Sequence, residues 1–446
     1  MQIAKSRLQN TCAYSATRGN SLSVEKIDTL IVGAGQAGIA LCEHLGAQGV
    51  PHLVLEKNRI AEAWRTSRWD ALVTNGPVWH DRFPNLEFKG DAPDAFVGKG
   101  RVAKYIEDYA DMVNAPVRTG VEVFTATPFK DRAGFQVETS GGTIEATRIV
   151  SATGAFQHPI IPPIVPEQAG VSQIHSAAYR NTEQLAEGAV LVVGAGSSGA
   201  QIADELNRAG RKVFLSVGPH DRPPRRYRGR DFVWWLGVLG LWDLAAQKLE
   251  TEHVTISVSG AYGGHTMDFR RLASEGVSLL GLSTHYENGV LNFADDLRKN
   301  VDAGDANYFG MLDAADAYAK KMGLDLSDDP QARERWPNPQ SLTSPTRHLD
   351  FVEEGITTVI WATGYKQDFS WIKADAFDEE GTPIHQRGVS KESGLYFLGL
   401  PWQSRRGSTF LWGVWHDAKF VADQIAIQRA YANYDGEAVI VPPVDH

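Results

Sequence analysis

The chain has 446 residues, 43% of them hydrophobic, enough to bury the cores of about three domains or two large ones. A formal net charge of −10 excludes general binding to nucleic acid or an anionic membrane, and the longest apolar run, Phe232 to Trp242, is too short to span a bilayer. Two cysteines, Cys12 and Cys42, with no C-x-x-C, exclude a dithiol centre, a zinc knot and a cysteine-held cluster, and they fit a reducing compartment.

Residues 1–26 read as a flexible N-terminus without the apolar core of a secretory signal, so the cytoplasm is the expected location. A strand, Thr29 to Val32, then runs into Gly33-x-Gly35-x-x-Gly38 and a helix. Gly33 makes the tight turn, Gly35 lets backbone approach a pyrophosphate, and Gly38 lets the helix pack close. Amides at the start of the helix, around Gln36 and Ala37, face the phosphates. A second strand, "HLVLE", ends at Glu56, whose carboxylate can accept from ribose hydroxyls, with Lys57 beside it. That combination predicts a dinucleotide with a free 2′-hydroxyl, FAD or NAD.

The run "RIVSATGAFQHP" closes in Ala-Thr153-Gly154. The next strand opens a second unit, Gly194-x-Gly196-Ser197-Ser198-Gly199 and a helix. Laid over the first unit by its glycines, it places Val217 where Glu56 stood. Five arginines follow in "GPHDRPPRRYRGR", among them Arg222, Arg225 and Arg226. A forked guanidinium suits a phosphate dianion, so this fold is expected to hold NADPH; a solvated basic loop is the plainer reading.

Further along, "EGVSLLG" predicts a later strand of the same sheet, Phe293 to Gly323 a long helical stretch, and "WPNPQSLTSP" a return linker. "TTVIWATGYKQDF" repeats the strand closing in Ala-Thr363-Gly364, "GLYFLGLPW" is a strand, and "GVWHDAKFVADQI" opens a helix. The two Ala-Thr-Gly segments flank the second unit and read as crossings between domains. The expected fold class is α/β. Two dinucleotide-binding, Rossmann-like domains are expected, the NADPH domain (160–346, with a helical insertion) being inserted in a discontinuous FAD domain (27–159 and 347–446).

These residues, together with "AWRTSRWDALVTN", "DRFP", "PRRYRGRDFVWWL" and "WATGY", resemble the class B flavoprotein monooxygenases over about Ile27 to Ile425. The likeness is to the bacterial flavin-containing monooxygenase-like group labelled as flavoproteins of potassium transport and, more distantly, to the plant auxin-forming branch. It implies that Asn75, after Thr74, lies beside the flavin and helps hold an oxygenated intermediate. It implies that Trp64 and Arg65 contact the flavin and that the Val123 backbone meets the adenine. Trp402, Trp412, Trp415 and His416 become candidates for the flavin face or the substrate wall, with core packing the alternative.

The family signature F-x-G-x-x-x-H-x-x-x-Y/W is half kept, as His175 and Tyr179, with Ala169 and Val171 replacing its first half. A lone His and Tyr at helical spacing read as packing residues, and Tyr rather than Trp leans away from Baeyer–Villiger oxidation. The resemblance implies that NADPH reduces FAD, that O2 forms a C4a-hydroperoxyflavin, and that one oxygen enters a small organic substrate, N- or S-oxygenation being favoured. An NAD(P)H-dependent flavin reductase or oxidase, a redox-sensing flavoprotein and Baeyer–Villiger oxidation of ketones stay open, and a homodimer is admitted.

Overall fold

The computed structural model describes residues 24–245 and 255–435. Residues 1–23, the greater part of the expected flexible N-terminus and the site of Cys12, lie outside them. Strand β1 (Glu25–Val32) begins within that expected tail, so the first domain starts at Glu25. Its second half is buried on both faces, as a near-continuous apolar run requires in a covered parallel sheet.

β1 pairs in parallel with β2 (His52–Glu56) on one side and with β6 (Gly142–Ser151) on the other; β3 (Val117–Thr119) extends the β2 edge. β4 (Val123–Pro128) and β5 (Phe135–Thr139) form an antiparallel meander onto β6. The chain returns much later to add Leu395–Phe397 in parallel beside β6. Helix α1 (Gln36–Ala47) follows β1, α2 (Glu62–Thr66) and α3 (Lys99–Met112) follow β2, and the late helix Leu411–Ala432 packs along α1.

Two short crossings lead into and out of the second domain. β7 (His158–Pro159) in the outgoing crossing pairs antiparallel with Tyr365–Lys366 in the returning one. Gln157 adds a clasp: its amide donates to Gly154 O at 2.9 Å and its Oε1 accepts from Asp368 N at 2.8 Å. The second sheet is parallel throughout, in the order Ser278–Leu280, β10 (Val213–Ser216), β9 (Ala189–Val193), Ile356–Trp361, β8 (Ser172–His175). Helix α4 (Ser197–Arg208) follows β9. Around this sheet lie α5 (Phe232–Val238), α6 (Phe269–Ser274), the long α7 (Leu297–Met322) and α8 (Gln340–Thr343); Leu411–Ala432 is then α9.

The expected boundary at residue 346 is therefore corrected. The strand Ile356–Trp361 lies at the centre of the second sheet, between β8 and β9, and His348–Asp350 pairs with Val290–Phe293 in a smaller sheet beside it. "WPNPQSLTSP" is not the return linker; the chain leaves the second domain only after Trp361. The helical spacing of His175 and Tyr179 is corrected too. His175 ends β8 and Tyr179 lies in the loop beyond it.

The two domains are built on one plan. In each, a glycine at positive φ turns off the first strand against the carbonyl of the Ala-Thr-Gly segment from the neighbouring strand. A Cβ on Gly33 (φ +108°) would lie 2.6 Å from Ala152 O, and one on Gly194 (φ +112°) 2.5 Å from Ala362 O. The third glycine is tighter still: a Cβ on Gly38 would meet Gly33 O at 2.0 Å, and one on Gly199 would meet Gly194 O at 1.9 Å. Both partners are held in place, Gly33 N being bonded to Leu55 O at 2.8 Å and Gly194 N to Ser216 O at 3.1 Å.

Gly38→Ala should therefore destabilise the chain by about 3 kcal/mol, lowering Tm by roughly 6–12 °C. In FAD-free protein Gly35→Ala should leave Tm nearly unchanged, because a Cβ on Gly35 has nothing of the chain within 4 Å. Thermal unfolding of both variants by circular dichroism decides it; equal Tm values would refute the close seating of α1.

Candidate active site at two glycine turns

The first cradle is the start of α1. Its first helical hydrogen bond is Ile39 N to Gly35 O, so the amides of Gln36, Ala37 and Gly38 lie outside the helical ladder at its positive end. Glu56 stands at the rim: Oε2 accepts from Ala34 N and Oε1 from Asn58 N, both at 2.9 Å. A carboxylate pinned there can accept from ribose hydroxyls and would repel a 2′-phosphate. The open space in front of Gly35, the bare amides and the fixed carboxylate fit FAD.

The other residues expected at this cradle are arranged less uniformly. The Gln36 side chain is spent on the protein, donating to Thr409 O and accepting from Trp64 Nε1, so only its backbone can serve a phosphate. Ala37 packs beneath the turn, its Cβ close to Gly399. Arg65 pairs with Glu107 at 2.5 Å and keeps a buried Nε without a partner among the described residues. Lys57 is exposed next to Glu56; Val123 opens β4, just beyond Val121, whose amide donates to Glu56 O. Thr153 Oγ1 accepts from Gln157, and Gly154 (φ +82°) turns the crossing. Trp402 adopts φ +55° with the Arg406 guanidinium over its ring.

The second cradle is the start of α4, where Ala200 N to Gly196 O is the first helical bond, leaving the amides of Ser197, Ser198 and Gly199 outside the ladder. The Ser197 hydroxyl donates to Ile256 O at 2.7 Å and accepts from Val258 N, so it fastens the segment Ile256–Val258 across the mouth of α4. Val217 at the end of β10 is fully buried and its carbonyl accepts from Asn300 Nδ2; no carboxylate stands there to reject a 2′-phosphate. In the second crossing, Thr363 Oγ1 donates to Ile160 O, and Gly364 O is bonded to His175 Nε2 at 3.0 Å.

The three arginines do not act together, which corrects one expectation. Arg222 is buried in ion pairs with Asp305 (2.7 Å) and Asp268 (3.2 Å). Arg225 is buried in a bidentate pair with Asp231, its guanidinium between the rings of Phe96 and Phe232. Both are spent on internal carboxylates and are not free to grip a phosphate. Arg226 alone of the three is exposed.

Against the second cradle's helix lies the turn Thr74–Asn75–Gly76 of the first domain. Thr74 is buried and holds Val97 through N–H···O=C at 2.9 Å and through its hydroxyl. Asn75 is held from the second domain: Gln201 Nε2 of α4 donates to its Oδ1 at 2.9 Å, and Arg225 donates to its carbonyl at 2.6 Å. Asp81 secures the far side by accepting from Gly76 N at 2.9 Å, and a Cβ at position 76 would lie 2.4 Å from Asp81 Oδ1 and displace that carboxylate. The same carboxylate takes His80 Nδ1 at 2.8 Å. His80 stacks on Trp242, 5.1 Å between centroids, with Trp79 and Trp412 at its edges; His80 Nε2 and Trp412 Nε1 are buried without partners among the described residues.

Reading the sequence missed the bracing of Asn75 by Gln201 and Arg225, and only partly caught Asp81. Asp81 was visible in "DRFP". For Gln201 the one available signal was its place two residues after Gly199. Trp415 is a packing residue, donating to Glu43 and lying edge-on to His44, and His416 lies between it and Trp412. His175 is a fastener of the crossing, its pKa lowered by burial and so neutral at pH 7; Tyr179 donates to Glu205 from the core. Among the described residues no group of side chains could hold a metal ion, and no helix is long and apolar enough to cross a membrane.

Residues 30–227 match the family described as pyridine nucleotide-disulphide oxidoreductase. An uncharacterized CzcO-like oxidoreductase of Geobacillus kaustophilus is 34% identical over 404 residues, covering 90% of this chain and 98% of that protein. The indole-3-pyruvate monooxygenase YUCCA1 of Oryza sativa subsp. japonica is 29% identical over 423 residues, covering 90% of this chain and 91% of the plant enzyme. In fold, a flavin-containing monooxygenase from Stenotrophomonas maltophilia superposes with a TM-score of 0.62 at 17% identity, over 92% of this chain and 100% of that one. The chain thus belongs to the class B flavoprotein monooxygenases, enzymes that work with FAD and NADPH, and groups there with the CzcO-like oxidoreductases.

Proposed function

We propose that the enzyme places one oxygen atom of O2 on a soft nucleophile, an amine or a thioether, of a small organic molecule. The balance is substrate + O2 + NADPH + H+ giving oxygenated substrate, NADP+ and water. The observation that carries this reading is the amide of Asn75, a residue of the first domain held by Gln201 of the second cradle's helix and by Arg225. Glu56 selects the nucleotide without a 2′-phosphate for the first cradle; Val217 leaves the second open to one that has it. FAD, when bound and reduced, supplies the oxygen-activating chemistry.

The chain's own residues bind, orient and exclude water. Glu56 and the α1 amides fix the flavin nucleotide, and the α4 amides the nicotinamide nucleotide. Asn75 offers a donor between them, where a hydrogen bond in a dry site counts most. Transfer to a soft nucleophile asks for no acid–base pair of the protein. The aromatic group of Trp79, Trp242 and Trp412 around His80, joined to the Asn75 turn through Asp81, suits an apolar substrate.

A disulfide reductase needs a reactive thiolate. Cys42, the cysteine among the described residues, is buried, and burial pushes its thiol up to about 12, so it supplies none at neutral pH. A free, inert thiol fits a reducing compartment, and we place the enzyme in the cytoplasm on that ground.

Asn75→Ala should keep FAD, since Glu56 and the glycines are untouched. It should divert NADPH oxidation to hydrogen peroxide, the leak rising roughly 5- to 150-fold for the loss of one well-placed hydrogen bond of about 1–3 kcal/mol. Peroxide assays alongside flavin content test this, and an unaltered leak in flavin-replete Asn75→Ala enzyme would remove Asn75 from the mechanism.

Cofactor choice is tested separately. Arg226→Ala should raise the Kd of NADPH roughly 10-fold and leave that of NADH unchanged, as for the loss of one charge-assisted contact. If titration shows both cofactors weakened alike, Arg226 does not contact the 2′-phosphate.

A further inference from the structure

We infer that Gln201 is a positioning residue that sets which way the amide of Asn75 faces, and that it ties this orientation to the nicotinamide cradle. The inference rests on the proposed role of Asn75 and adds to it the group that aims it. The argument starts from atom types. Gln201 is buried, and its Nε2 donates to two acceptors, Val258 O at 2.5 Å and Asn75 Oδ1 at 2.9 Å. A backbone carbonyl can only accept, so the atom of Gln201 facing Val258 must be the amide nitrogen. That nitrogen must then meet an acceptor on Asn75, which settles Oδ1 toward Gln201 and turns Nδ2, the donor, away from it.

Arg225 holds the backbone end of the same residue through Asn75 O. With the carbonyl and Oδ1 both engaged, the donor has one direction left. Val258 itself is fixed by the cradle. The Ser197 hydroxyl accepts from Val258 N and donates to Ile256 O, and Ser197 stands one helical turn before Gln201 on the same face of α4. A chain of contacts thus runs from the first residue of the nicotinamide cradle, through Val258 and Gln201, to the amide of Asn75 in the other domain.

The test is a double-mutant cycle with two readouts: the peroxide leak during NADPH oxidation, and the Kd of NADP+ for the oxidised, non-turning enzyme by calorimetry. Gln201→Glu fills the same space but cannot donate when ionised, and Gln201→Ala removes the side chain. Both should raise the leak and the NADP+ Kd roughly 3- to 10-fold with FAD content unchanged. In an Asn75→Ala background both should raise the leak no further, because that effect passes through Asn75, while a residual change in NADP+ Kd is the part carried by the bond to Val258 O.

If Gln201→Glu behaves as wild type while Gln201→Ala does not, the role is packing and the inference is overturned. Effects of Gln201 and Asn75 on the leak that multiply independently overturn it as well. If Asn75→Ala alone changes neither readout, the reading of Asn75 fails first and this inference falls with it.

Discussion

The architecture hangs on a backbone contact that only glycine permits. In each domain the turn after the first strand lies against the carbonyl of the Ala-Thr-Gly segment of the neighbouring strand, with room for a hydrogen atom and not for a methyl group. At Gly33 and Gly194 the positive φ adds a second reason, since side chains with a Cβ rarely adopt it. The contact does two things at once. It leaves the first turn of the following helix with free amides at the sheet edge, and it puts the start of an interdomain crossing beside that edge. Two such units are joined by paired crossings, and α4 of the second reaches the Asn75 turn of the first.

The turn of the first domain that carries Asn75 is braced by the second. Asn75 receives hydrogen bonds from Gln201 and Arg225, while Asp81 of its own domain holds Gly76. Arg225 can do this only because Asp231 compensates its burial and two aromatic rings flank it. Burying such a pair is a poor source of net stability, and its value here is that it fixes a geometry. The same reasoning explains Arg222 and Arg270, which share the buried Asp305 and lock α7 to the loop after β10 and to α6 respectively.

This arrangement joins family membership to the proposed chemistry. Both folds are shared with reductases, and folds alone do not choose between reactions. The choice comes from the site: a carboxylate at one rim and an apolar residue at the other, an amide with a directed donor, and a buried thiol too high in pKa to act as a nucleophile.

The sequence by itself determined the elements whose signal is local. The glycine spacings, "HLVLE" ending at Glu56 and the apolar runs around them determine two strand–turn–helix units, because the sterics of a tight turn act within a few residues. Motif order likewise showed that the second unit sits within the first. Tertiary structure decided the rest. That Ile356–Trp361 completes the second sheet is a matter of pairing across more than a hundred residues, on which local pattern is silent. That Arg222 and Arg225 face carboxylates was decided by Asp305, Asp268 and Asp231, and a guanidinium binds a carboxylate as readily as a phosphate. And the direction of the Asn75 donor was decided by one amide, that of Gln201, because hydrogen bonds are specific in geometry and their partners come together only when the two domains do.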